Sequence, residues 1–147
     1  GEQTGLFGAD ESGPARDRTD AMIVRAYERA GRTLDDLPYT REWSALYDDV
    51  RDATHLRERE VFHRLHNLRK AGKLPRMGRA ASTPPRIEPA EEQQLAAMVT
   101  QAVGTLGQRD QLPFTPEFDR LVIEFNAATG RGLEPHDVWR LIAKLAK

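Results

Sequence analysis

Apolar residues recur at intervals of three and four in six stretches of the chain, the spacing that collects them on one face of an α-helix. Between Ala21 and Ala30 the stripe is Met22, Ile23, Ala26, Tyr27 and Ala30, closed by Gly31, a natural helix stop. Leu37-Pro38-Tyr39-Thr40 forbids a helix through Pro38 and puts Thr40 in N-cap position ahead of Glu42-Trp43. Trp43, Leu46, Tyr47 and Val50 carry the next stripe, which stops near Thr54-His55. Arg57 to Ala71 predicts a third helix that buries Val61, Phe62, Leu65 and Leu68 and ends before Gly72 and Pro75. Three more are predicted over Leu95 to Leu106, Pro116 to Ala128 and Pro135 to Lys147, with Pro135 suited to a first helical position. Alternating runs of β-formers are missing from the sequence, so the expected fold class is all-α.

The pattern repeats. Leu37-Pro38-Tyr39-Thr40-Arg41-Glu42-Trp43 aligns with Leu112-Pro113-Phe114-Thr115-Pro116-Glu117-Phe118 at an offset of 75, and Val61-Phe62, Leu65 and Leu68 align with Val138-Trp139, Ile142 and Leu145 at 77. Met22-Ile23, Ala26 and Gly31 answer to Met98-Val99, Ala102 and Gly107 at 76. The expectation is two homologous three-helix units in tandem: residues 19–76 and 91–147, joined by a basic Pro-rich linker, 77–90, and preceded by a Gly-rich disordered tail, 1–18. A unit of about 50 residues is near the lower limit for an independent core, which leaves open whether the copies stand alone or pack together.

Composition narrows the function. With 147 residues and no Cys, thiolate zinc sites, iron–sulfur clusters and thiol nucleophiles are excluded. No run approaches the roughly 18 apolar residues of a spanning helix, so a cytoplasmic protein without membrane contact is expected. A chain that opens Gly1-Glu2 rather than with Met reads as part of a larger parent protein.

The charges, 22 basic against 23 acidic, are unevenly distributed: the stretch from His63 to Arg86 contains seven Lys or Arg and no acid, so it carries +7 and the remainder −8. On the third helix Arg59, His63, His66 and Lys70 fall in one row opposite the Val61/Leu65/Leu68 stripe, and the row runs on into Lys73, Arg76 and Arg79. Such cations neutralise phosphates, with His63, His66 and Asn67 near the bases or backbone of duplex DNA. The plainer reading is a solvated surface, since Lys and Arg also suit a helix C-terminus. A three-helix unit that ends in a basic amphipathic helix resembles the tri-helical helix-turn-helix DNA-binding domains, whose last helix enters the major groove. Ala128, Gly132, Val138 and Leu141 match that motif's small, turn and buried positions; the first copy has Arg51 and His55 in the small-residue and glycine places.

In the tail, Gln3-Thr4-Gly5-Leu6-Phe7 resembles the Gln-x-x-Leu-Phe peptides by which bacterial replication and repair proteins bind the sliding clamp. The resemblance implies that Gln3, Leu6 and Phe7 are the contacts. Catalytic signals are poor. His63 and His66 lack a third ligand, Asp48, Asp49 and Asp52 read as a charged outer face, Gly130-x-Gly132 is no phosphate loop, and Ser12, Ser44 and Ser82 have no evident base. No catalytic residue, metal or cofactor is expected. The expected role is non-enzymatic, a DNA-binding accessory region of a bacterial replication or repair protein; the alternative is a helical adaptor that binds protein.

Overall fold

The structure, a computed structural model, describes residues 13–147, so Gln3, Leu6 and Phe7 lie outside the described residues. Six helices, α1 (Gly13–Ala30), α2 (Arg41–Thr54), α3 (Glu58–Lys70), α4 (Pro89–Val103), α5 (Pro116–Thr129) and α6 (Pro135–Leu145), and 3₁₀ turns at Leu34–Asp36 and Leu106–Gln111 make an all-α fold with no strand among the described residues. None of these helices is long and apolar enough to cross a membrane. Two starts differ from expectation. Residues 13–18, assigned above to the tail, are the first turns of α1, and α4 begins at Pro89 rather than Leu95. In both places a proline sits in the first turn, where its missing N–H costs nothing. Glu91 also accepts from the Glu88 backbone N–H at 2.7 Å and fixes the α4 start.

Local structure recurs at the aligned positions. Thr40 Oγ1 accepts from the Trp43 N–H and donates to Leu37 O, while Thr115 Oγ1 accepts from the Phe118 N–H and donates to Leu112 O. Tyr39 and Phe114, just before these caps, both take positive φ, 66° and 67°. His55 and Gly130 close α2 and α5 in the left-handed conformation, donating to Arg51 O and Asn126 O.

The two halves share one core, which settles the question left open by their size. Helix α3 packs on the 3₁₀ turn of the second half and α6 on that of the first. The exchange is reciprocal down to single bonds: Arg59 Nη1 donates to Pro113 O at 3.2 Å, and His136 Nδ1, at the position aligned with Arg59, donates to Pro38 O at 2.8 Å. Two aligned pairs meet each other, Tyr39 with Phe114 and Phe62 with Trp139, at centroid distances of 4.8 and 6.2 Å. Reciprocal contacts of this kind, with counterparts meeting each other, are those of a local two-fold arrangement, so the halves associate as a self-complementary pair.

Candidate nucleic-acid interface

The seam changes the expected cationic row. Positions 59, 62 and 66 form a second face of α3, adjacent to the Val61/Leu65/Leu68 stripe, and the other half covers that face. His66 is only 4% exposed, edge-on to the Phe62 ring at 4.7 Å, with Nδ1 3.4 Å from Arg69 Nη2. Burial, aided by Arg69, pushes its pKa down to about 4, and Nε2 has no hydrogen-bond partner among the described residues. Arg59 is half-buried on Pro113 O, 5.9 Å over the Phe62 ring, and burial lowers its pKa. Neither residue faces outward as the single-unit reading had it, and Asn67 is half-buried beside them.

The rest of the basic stretch divides cleanly. Arg64 pairs with Asp20 at 3.0 Å and Arg69 with Asp35 at 3.4 Å. His63, Lys70, Lys73, Arg76, Arg79 and Arg86 are exposed, and among the described residues none of these six is in an ion pair. Gly72, at φ 72°, turns the chain out of α3, with Lys73 N–H returning to Leu68 O at 2.8 Å, a glycine-dependent cap. Residues 71–88 then cross the molecule as a non-helical strap, with Leu74, Met77 and Ile87 packed against the core. The expected loose linker is therefore an attached one.

Its attachment is a polar cluster that sequence reading missed. Asp36 is fully buried and accepts from Arg32 Nη1 at 2.8 Å and from the Ala81 and Ser82 N–H groups at 2.9 and 3.3 Å. The Ser82 hydroxyl donates to its other oxygen. Arg140 Nε and His136 Nε2 lie 3.4 Å from that oxygen, and Arg140 also donates to Ser82 Oγ and Ser82 O, both at 3.1 Å. Burial pushes the Asp36 carboxyl up, but the Ser82 hydroxyl, the Ala81 N–H and the two guanidinium groups outweigh it and hold the pKa below its ordinary value.

Ser82, His136 and Asp36 are residue types of a nucleophilic triad in a different geometry. The Ser82 Oγ lies 3.1 Å from His136 Nε2 and also bonds an Asp36 oxygen, while the His136 Nδ1–H bonds Pro38 O rather than an acid. Each polar atom of Ser82 thus has a partner in the cluster. Beside it a pocket of about 560 Å³ opens between the first turns of α2 and α6, bordered by Arg32, Arg41, Glu42, Glu134, His136 and Asp137.

The remaining candidates are structural neighbours of ordinary kind. Asp48 and Asp52 lie 3.5 and 3.9 Å from Arg51, and Asp49 pairs with Arg29. Trp43, Phe62, Phe118 and Trp139 are core residues. On the second half a smaller groove, about 220 Å³, runs between α4 and α5 over Met98 and Leu121, and Ile123 on α5 is 69% exposed. Comparison with protein-family models, with curated proteins and with solved structures finds no match.

Proposed function

We propose that this chain is a non-enzymatic DNA-binding module, a cytoplasmic accessory region of a bacterial replication or repair protein, which holds duplex DNA by its phosphates. The observation that carries the reading is the row Lys70, Lys73, Arg76, Arg79 and Arg86, exposed and without ion pairs among the described residues, along the end of α3 and an attached strap. Cations already matched to acids gain little from a polyanion, whereas unmatched ones gain by releasing its condensed counterions. His63 extends the row along α3. Arg59 and His66 belong to the seam and drop out of the contact set. Gln3, Leu6 and Phe7 remain the proposed sliding-clamp contacts.

Fluorescence anisotropy with a labelled duplex across a salt series tests this. Replacing Arg76 or Arg79 by Ala should each lower the slope of log affinity against log salt by about one unit. Absence of binding at low salt by the folded protein refutes the reading. The rival, a protein-binding adaptor, draws on the α4–α5 groove, on Ile123 and on an uncharged run from Gln93 to Gln108. It gains if Ile123→Asp abolishes capture of a protein ligand while DNA is not retained.

A further inference from the structure

An extended segment bearing cations binds a polyanion poorly if it must be ordered on contact, because immobilising each long side chain and its backbone opposes association. Residues 71–88 have no helix or sheet ladder to order them. What fixes their middle is Asp36. One of its oxygens takes the Ala81 and Ser82 N–H groups together with Arg32, and the other takes the Ser82 hydroxyl, so both faces of the carboxylate are occupied. Arg140 holds the Ser82 carbonyl and hydroxyl, which leaves no polar atom of Ser82 free to move independently. Ser82 stands three residues after Arg79 and four before Arg86, so the pin lies between two of the unpaired cations.

We infer that Asp36 is a positioning residue for polyanion binding: a buried acid that pins the strap at Ala81-Ser82 and so presents Arg76, Arg79 and Arg86 as a fixed rail. The inference rests on the DNA-binding reading above. It also opposes simple charge counting. Removing an acid raises the net charge by one and by long-range electrostatics alone strengthens binding to DNA; with the pin, removal weakens it. Arg32 and Arg140 flank the carboxylate, so its own field is largely cancelled and the loss of order decides the sign.

The test uses the full chain with Asp36→Asn, whose amide nitrogen meets donors where an oxygen accepted them. Trypsin cleavage after Arg76, Arg79 and Arg86 reads strap order without DNA, since cleavage follows the population of the open state. With helix content unchanged by circular dichroism, cleavage should accelerate about tenfold or more, and duplex affinity should fall about three- to tenfold. In that background the further change Arg79→Ala should cost less salt slope than in the wild type, a coupling that general destabilisation does not produce. If Asp36→Asn fails to fold, Ser82→Ala keeps the acid and its arginines, removes the hydroxyl alone, and should shift both readouts the same way by about threefold. Unchanged cleavage, or unchanged or tighter DNA binding by a folded variant, overturns the inference. A wild-type chain that ignores DNA overturns the binding reading instead, and the cleavage arm still reports whether the pin exists.

Discussion

The Tyr39 ring lies 4.8 Å from the ring of Phe114, the residue at its own position in the other half of the chain, and the Tyr39 hydroxyl accepts the Phe114 backbone N–H. Both residues are aromatic at positive φ, a conformation that costs about 1 kcal/mol per side chain and persists where surrounding packing demands it. Tyr39 also stacks on Phe118, and Trp43 on Phe114. The strained residues of each half are thus held by the other half.

Unfolding should accordingly be a single transition. Trp43 reports the first half and Trp139 the second, so the variants Trp43→Phe and Trp139→Phe each leave one probe. In each variant fluorescence and far-ultraviolet circular dichroism should give coincident denaturation midpoints. Tyr39→Ala should lower stability by about 3 kcal/mol in both probes together. Separate midpoints would mean that the halves open independently.

His55 closes α2 at φ 58°, where Gly130 closes α5 at φ 74°. Its backbone N–H bonds Arg51 O at 2.8 Å and its side chain is exposed. The left-handed cap favours glycine because a Cβ crowds the following carbonyl. His55→Gly should therefore stabilise the protein by about 1 kcal/mol in urea denaturation; a loss of stability would mean that the imidazole makes a contact that outweighs the strain.

What the sequence made legible was local. Thr40 and Thr115 announce helix starts because their caps lie three residues away, and the stripes of α2, α3, α5 and α6 fall where their spacing puts them. Pro14 and Pro89 look like breaks in the pattern yet open helices; the Glu88-x-x-Glu91 box was the neglected signal for the second. Arg59 and His66 were misjudged for a non-local reason: a helical wheel shows which residues share a face, not that a second half covers it. Asp36 was out of reach in the same way. It adjoins Asp35 in sequence, but one carboxylate binds Arg69 near the surface while the other is buried against Arg32 and against groups 45 to 104 residues away.

Arg59 and Lys70 separate the two roles a cation plays on α3. Arg59 donates across the seam to Pro113 O and is half-buried, so Arg59→Ala should cost about 1–2 kcal/mol of stability, mostly through the lost charged hydrogen bond and stem packing, and leave the DNA salt slope unchanged. Lys70 is exposed at the helix end. Lys70→Ala should lower the slope by about one unit and leave the melting temperature within about two degrees of wild type. A slope change in the folded Arg59 variant would return that residue to the interface.

His66 makes stability depend on pH in a defined window. Its pKa is about 4 in the folded chain, through burial and the neighbouring Arg69, against an ordinary value of 6.5. Between these values the unfolded chain carries a proton on His66 that the folded chain does not, so lowering the pH favours unfolding. Stability present above pH 6.5 is lost as pH falls towards 4, by about 3 kcal/mol from this group at the lower limit. His66→Leu removes the titration and fills the same apolar site against Phe62. Carboxylates such as Asp36 titrate alike in both proteins, so the difference between the wild-type and variant stability curves isolates the imidazole. That difference should slope across pH 6.5 to 4 and level off above it. A flat difference would mean that His66 ionises freely in the folded protein, which requires the seam between α3 and the second half to be open to water.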